Sequence, residues 1–401
     1  MGKNWKARAA AKRAAAEGRP PPDKKPKKSG EGEYPPPYVL ENAKFESYYR
    51  EQAIVPDGEW DAFMGALRKP LGVSFRITGH EDEPTARSLR ALIERKAARE
   101  LSGIAVDGEA IPPPRPISWM PGRSAWRYEV SRAVLRGKGV RKNPVEAGPS
   151  AAKAGEPAGD GAPVAAEAAS ASAPAERADA ASLASLAAFH AFLNDEVELG
   201  NISRQEEVSM VPPQLLGARP GHRVLDMCAA PGSKTQQLME ALAGATADRG
   251  GGGGDDGAGF VVANDNDYRR CHLLVHQAKR LASPQLVVTH HDATTLPSRL
   301  GENLGSRRAE RLSFDRILCD VPCSGDGTLR KAPDLWRRWD DGLAWGVHRL
   351  QLSILMRGLE LLVPGGRLVY STCSLNPARA RCCRYWCGGR SWCGQCCCRW
   401  R

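Results

Sequence analysis

The sequence predicts an α/β protein with a doubly wound parallel sheet in its C-terminal half, behind a smaller α+β module. Two observations carry this. Short apolar runs at 223–226, 260–263, 285–289, 315–319 and 367–371 alternate with helix-period segments. These runs end on or near Asp226, Asp265, Asp292, Asp320 and Cys373. Ligands of such sheets sit beyond the strands' C-terminal ends, so the five residues belong to one site.

The remaining elements follow in order. Residues 1–33 are Lys-, Arg-, Ala- and Pro-rich and include Lys24-Lys25-Pro26-Lys27-Lys28. With so few apolar side chains they predict a disordered basic arm, read as a nuclear-import signal or a non-specific RNA contact. From 34 to 142 aromatic and aliphatic residues recur at helical spacing. A strand is expected at 74–78 and a helix after Pro84, with Thr85 as its cap. Arg87, Arg90, Arg95, Lys96 and Arg99 would line that helix's wet side. Residues 143–181 read as a flexible insert, and Gly250–Gly254 as a surface loop within the domain expected from 182 to 377.

The formal net charge of +11 points to an anionic partner, and nucleic acid is preferred to a membrane because basic residues recur beside the candidate site. No apolar run approaches the roughly 20 residues of a membrane span. The N-terminus has no secretory apolar core, so an intracellular chain with reduced thiols is expected.

The stretch Leu225-Asp-Met-Cys-Ala-Ala-Pro-Gly-Ser-Lys-Thr235 is a strand-to-helix turn of small residues that lets a ligand approach the backbone. It has neither Walker nor dinucleotide spacing. An acid after the following strand takes a ribose diol in such folds; Asp265 is the candidate and Asp267 the second choice. A nucleoside-type ligand follows.

Two thiols stand just past strand ends: Cys323 in Val-Pro-Cys-Ser and Cys373 in Ser-Thr-Cys-Ser. Beside a nucleoside-type cofactor, they suit alkylation of a carbon that is not itself nucleophilic, such as C5 of cytosine. A thiolate adding to C6 makes C5 electron-rich enough to attack a methyl sulfonium. Loss of the C5 proton then allows the enzyme to be eliminated. On the residues alone either thiol could add. Arg330, Lys331, Arg337 and Arg338, interleaved with Trp336 and Trp339, suit a phosphate-backed strand, though the tryptophans could equally anchor the core.

These stretches resemble the NOP/Sun RNA (cytosine-5) methyltransferases. Asp226–Thr235, Asp320-Val-Pro-Cys-Ser-Gly-Asp-Gly-Thr-Leu-Arg-Lys331 and Tyr370-Ser-Thr-Cys-Ser-Leu-Asn-Pro377 are similar to the family's core motifs, and Asn201-Ile-Ser-Arg-Gln-Glu206 to its N-terminal motif. Ile54-Val-Pro-Asp-Gly-Glu-Trp60 and Phe75-Arg-Ile-Thr-Gly79 resemble the eukaryotic tRNA-modifying branch.

The resemblance implies a Rossmann-like fold, S-adenosyl-L-methionine as cofactor and an RNA substrate, tRNA before rRNA. A monomer is expected, without DNA, membrane or metal partners, and the basic arm suggests the nucleus, or the nucleolus, as its location. The resemblance makes Cys373 the nucleophile and Cys323 the residue that assists release, and it has Asp320 orient or protonate the base. Cofactor contacts are implied for Cys228, Ala229, Ala230, Pro231, Gly232, Ser233, Lys234, Asp265, Asp292 and Asp320, while Arg330 and Lys331 are expected to contact RNA from the basic-aromatic alternation described above.

After Pro377 the pattern departs. Residues 378–401 are Cys/Arg-rich, with seven cysteines between Cys382 and Cys398, and show no strand or helix period. An aberrant tail is expected, with the final strands missing, a sheet edge exposed and a product that is poorly stable or an inactive RNA binder. A zinc set of Cys383, Cys387, Cys393 and Cys396 is the weaker reading.

Overall fold

The computed structural model describes residues 39–79, 83–137, 174–243, 259–281, 283–300, 310–376 and 396–399. It opens with helices α1 (Ala43–Glu51) and α2 (Trp60–Arg68). Asn42 caps α1, its side-chain oxygen accepting from the Phe45 N–H at 3.0 Å. The buried Phe45, Tyr49, Trp60 and Met64 do not pack on the strand that follows them. They form one core with Leu329, Trp336 and Trp339, far along the chain.

A second unit comprises β1 (Gly72–Ile77), α3 (Pro84–Arg99), β2 (Arg115–Pro116), β3 (Ala125–Ser131), α4 (Arg132–Leu135), α5 (Pro174–Glu198) and β4 (Ile202–Ser203). Its strands form an antiparallel sheet in the order β2-β3-β1-β4. Val73, Phe75 and Ile77 alternate along β1, as Trp126, Tyr128 and Val130 do along β3, which puts both sets on one face. That face packs against Leu89 and Ile93 of α3 and Leu186, Phe189 and Leu193 of α5. Thr85, expected to cap α3, lies inside it: the helix starts at Pro84, where a missing N–H costs nothing.

The domain expected from 182 therefore divides differently. Helix α5 begins at Pro174, within the span read as a flexible insert, and α5 and β4 pack with the N-terminal sheet. An Ala-rich helix has high propensity but a faint apolar stripe, so its start carries little periodic signal. The basic arm, residues 143–173 and the Gly250–Gly254 loop lie outside the described residues.

The C-terminal unit comprises β5 (Arg223–Asp226), α6 (Ser233–Ala243), β6 (Phe260–Asp265), α7 (Tyr268–Ala278), β7 (Leu286–His290), β8 (Phe314–Asp320), α8 (Asp334–Arg338), α9 (His348–Leu361), β9 (Leu362–Ser371) and β10 (Cys396–Arg399). The sheet runs β10-β9-β8-β5-β6-β7, parallel at every pair except β9–β10. Chain order reverses between β5 and β8, which opens a crevice at their C-terminal ends.

The edge of β9 that was expected to stand open is paired. Cys396–Arg399 lies antiparallel on it, from Arg367 opposite Arg399 to Tyr370 opposite Cys396. Edge pairing is a main-chain interaction and needs no side-chain period, so a segment without alternation can supply it. Of the proposed zinc set, Cys383, Cys387 and Cys393 lie outside the described residues. No helix among the described residues is long and apolar enough to cross a membrane.

A buried polar network joins the two sheets. Arg76 on β1 is 2% exposed and ion-pairs with Glu240 of α6, while its Nε donates to Gln205 Oε1 at 3.2 Å. Gln205 Nε2 donates to Gln237 Oε1 at 3.0 Å, and Ser203 Oγ donates to Gln236 Oε1 at 2.8 Å. The Asn201–Glu206 stretch is thus the seam between the N-terminal sheet and α6.

Candidate active site

The crevice at the switch point is built by three strand-end turns. After β5, the turn of small residues leads into α6. Gly232 there has φ +109°, and a Cβ would meet Leu274 Cδ1 at 2.7 Å, so only glycine lets the turn lie against α7. The Ala230 N–H donates to Asp265 Oδ2 at 3.2 Å, and Arg270 reaches the same oxygen at 3.4 Å. Asp265 is buried at the end of β6 and faces the turn, whereas Asp267 caps α7, accepting from the Arg269 and Arg270 N–H groups. Geometry therefore favours Asp265 over Asp267 as the acid of this crevice.

Asp226 is also buried, with Oδ2 accepting from Thr235 Oγ1 at 2.7 Å. Burial, with some help from Asp320, pushes its pKa up to about 7. The strand-end pattern counted it in the site, but no catalytic or cofactor role was inferred for it. The signal was present in its position at a strand end, but a carboxylate that binds its own helix gives no separate motif. Burial and the neighbouring acids push the Cys228 thiol up to about 12, so it stays neutral.

After β8, Asp320 lies between two donors. Lys234 Nζ donates to its Oδ2 at 2.6 Å, and Ser371 Oγ donates to its Oδ1 at 2.8 Å. The ion pair ties the turn after β5 to the strand carrying the Pro-Cys loop. Asp292, just past the end of β7, is exposed, and its Oδ1 accepts from the Thr294 N–H at 2.9 Å, capping a short turn.

The two thiols meet. Cys323 Sγ and Cys373 Sγ are 3.0 Å apart, with Cys373 exposed and Cys323 half-buried. The hydrogen bond from Cys373 holds the Cys323 thiol down at about 6, aided by donors from Thr372 and Gly325. The same hydrogen bond, with burial and the negative charge alongside, pushes Cys373 well above the usual thiol range. Two groups this close titrate as one pair: the first proton leaves readily and the second does not.

A buried carboxylate fixes both cysteine loops. Asp326 accepts from Ser324 Oγ at 2.8 Å and from the Leu375 N–H at 3.2 Å, and it also takes the Tyr49 hydroxyl of α1. The Gly327 N–H donates to Cys373 O at 2.9 Å, and a Cβ at Gly327 would meet that oxygen at 2.7 Å. Asn376 Nδ2 donates to Tyr48 Oη at 2.9 Å. The first helix is thus part of the site's scaffold, a pairing nearly three hundred residues apart that no local pattern announces.

Two expected RNA contacts are otherwise engaged. Arg330 donates to the carbonyls of Lys69 and Pro70 at 3.0 and 3.1 Å, tying the Pro-Cys loop to the segment between α2 and β1. Lys331 pairs with Glu206 at 3.3 Å. Trp336 and Trp339 are 1% and 3% exposed, so they anchor the core of α1 and α2 and offer no stacking platform. The basic-aromatic alternation there reflects a short helix with one buried face.

Residues 213–382 match the family described as 16S rRNA methyltransferase RsmB/F. The chain is 41% identical over 339 residues to a Saccharomyces cerevisiae multisite-specific tRNA:(cytosine-C(5))-methyltransferase, covering 84% of this chain and 42% of that protein. It is 40% identical over 343 residues to a Drosophila melanogaster tRNA (cytosine(34)-C(5))-methyltransferase, covering 84% and 39%. It therefore spans about two fifths of the length of these relatives. Among solved structures, NSun6 from Pyrococcus horikoshii with SFG shares the fold at a TM-score of 0.53 and 17% identity, covering 86% of this chain and 87% of that one. Residues 213–382, which hold the small-residue turn, the switch-point crevice and both thiols, therefore form a domain of the RsmB/F, or NOP/Sun, methyltransferase family.

Proposed function

We propose that this chain carries the catalytic machinery of a tRNA cytosine-5 methyltransferase that uses S-adenosyl-L-methionine. The observation that carries the reading is the Cys323–Cys373 pair at 3.0 Å, beside the Lys234–Asp320 ion pair, at the switch-point crevice. Residues Cys228 to Lys234 and Asp265 fit a nucleoside cofactor. The turn is stripped of bulk where it must lie close, and a buried carboxylate faces it. When bound, the cofactor would supply the activated methyl group.

The chain's own residues would then divide the work. Cys373, the exposed thiol, attacks C6 of the flipped cytosine, and its proton can pass to the Cys323 thiolate 3.0 Å away. Asp320, positioned by Lys234 and Ser371, orients the base and passes a carboxyl proton to the ring nitrogen as the thiolate adds at C6, so the ring does not keep the added charge. After methyl transfer the C5 proton is lost to water or a nearby base, its electron pair re-forms the C5–C6 double bond as the C6–S bond breaks, and Cys323, beside that bond, returns its proton to the departing Cys373 sulfur. Asp292 has its short turn to cap and is a weaker cofactor candidate on this geometry.

A tRNA substrate is favoured over rRNA because similarity to the two tRNA-named proteins runs through 84% of this chain, well before residue 213, where the rRNA-described family match begins. The Lys24–Lys28 run supports a nuclear location. Incubation with labelled S-adenosyl-L-methionine and a tRNA transcript tests the activity. Label recovered as 5-methylcytosine supports it. RNA bound by the wild type without any methyl transfer would favour an RNA-binding role instead.

A further inference from the structure

A cavity of about 440 Å³ lies between the N-terminal sheet and the turn after β5; Pro231 and Ser233 of the turn line one side, and Gly72 and Ser74 of β1 line another. Its charged lining is Arg132, Arg204, Arg280, Lys331, Glu198 and Glu206. Both carboxylates are already taken: Glu198 pairs with Arg280 at 3.0 Å and Glu206 with Lys331 at 3.3 Å. Arg132 and Arg204 are left without a carboxylate partner among the described residues.

Arg204 donates to the neutral Asn194 side chain at 2.9 Å, and its Nε is buried with no hydrogen-bond partner. Burial, then the charges of Arg132 and Arg136, lowers the Arg204 pKa. Arg132 opens α4 and Arg136 follows its last residue, so both like charges lie close to Arg204. Neither the fold nor the proposed chemistry of the thiols uses this concentration of positive charge. A buried guanidinium N–H with no acceptor is costly unless an acceptor arrives.

We propose that this cavity, with Arg132 and Arg204 at its head, is a phosphodiester site for the RNA strand that delivers its base to the cysteine pair. The inference rests on the RNA-methylating reading above and deepens it. Guanidinium forks match phosphate oxygens, and the cavity touches both the turn after β5, through Ser233, and the Pro-Cys loop, through Lys331. A phosphate held here would fix the register of the strand without reading its sequence.

The test is binding of an unmodified tRNA transcript to the full chain, measured by fluorescence anisotropy across salt concentrations. Arg132 is exposed and has no ion-pair partner among the described residues, so Arg132→Gln is expected to leave the fold intact. The variant is expected to bind RNA more weakly, with the slope of log affinity on log salt reduced by about 1, while Arg132→Lys restores most of the slope. Arg87→Gln on the outer face of α3 serves as a charge-matched control and is expected to leave the slope unchanged. An Arg132→Gln slope equal to wild type, or an equal loss in Arg87→Gln, overturns the site while the RNA reading stands. A wild-type chain that binds no RNA overturns both.

Discussion

The Sγ atoms of Cys323 and Cys373 lie 3.0 Å apart although the residues are on different loops, and the buried Asp326 holds those loops in register. This pairing makes the two thiols a single acid–base unit with one readily lost proton. Their reactivities are therefore expected to depend on each other.

That dependence is visible in pH. Cys323 is held down at about 6 by the hydrogen bond from Cys373, so its thiolate is populated above about pH 6 and lost below it. Alkylation of Cys323 by iodoacetamide, followed by peptide mass spectrometry, should level off near neutral pH. An ordinary thiol continues to gain reactivity towards about pH 8.5. In Cys373→Ala the stabilising donor is gone and the inflection should move up. An unchanged inflection would mean that the thiols do not share a proton.

The Tyr49–Asp326 contact links α1 to the cysteine loops inside the protein, with Tyr49 and Asp326 both fully buried. Tyr49→Phe removes a donor from a buried carboxylate and should cost about 1.5–3 kcal/mol in urea unfolding. It should also lower turnover more than it alters cofactor affinity, because the loops it steadies carry the thiols. A loss below about 0.5 kcal/mol would place the hydroxyl elsewhere in solution.

The Arg76–Glu240 pair is buried at the seam between the sheets. Burial raises the Glu240 pKa, while Arg76 opposes the rise. Arg76→Met alone strands a buried carboxylate and should destabilise by about 3–5 kcal/mol, whereas Arg76→Met with Glu240→Leu should recover most of that. Thermal and urea unfolding of both variants check it. A double variant no more stable than the single one would show that the pair, and not mere burial, holds the seam.

Gly327→Ala should cripple turnover while leaving cofactor binding near wild type. The added methyl would press on Cys373 O at 2.7 Å and move one thiol relative to the other. Isothermal titration with the cofactor and a methylation assay, run together, separate the two effects. Weakened cofactor binding to match the lost turnover would argue against a local displacement.

The sequence made the C-terminal sheet legible because its strands are apolar throughout and its site residues stand at strand ends. Asp226, Asp265, Asp320, Cys323 and Cys373 fall in one crevice as the alternation implies, while Asp292 sits in its own capped turn. What stayed hidden depends on distant packing. Nothing near Tyr49 announces Asp326, and nothing near Trp336 announces Phe45. The start of α5 was obscured because alanine favours helix without marking a face. Arg330 looked like a phosphate ligand because charge patterns do not distinguish solvent from a backbone carbonyl partner.

The division of labour between the thiols is the central claim, and covalent trapping tests it most directly. Cys323→Ala, incubated with cofactor and a tRNA transcript, should accumulate a denaturation-resistant protein–RNA adduct, and peptide mapping should place the RNA on Cys373. Cys373→Ala should form none and transfer no methyl groups. An adduct on any other cysteine, or normal turnover by Cys323→Ala without an adduct, would contradict the account.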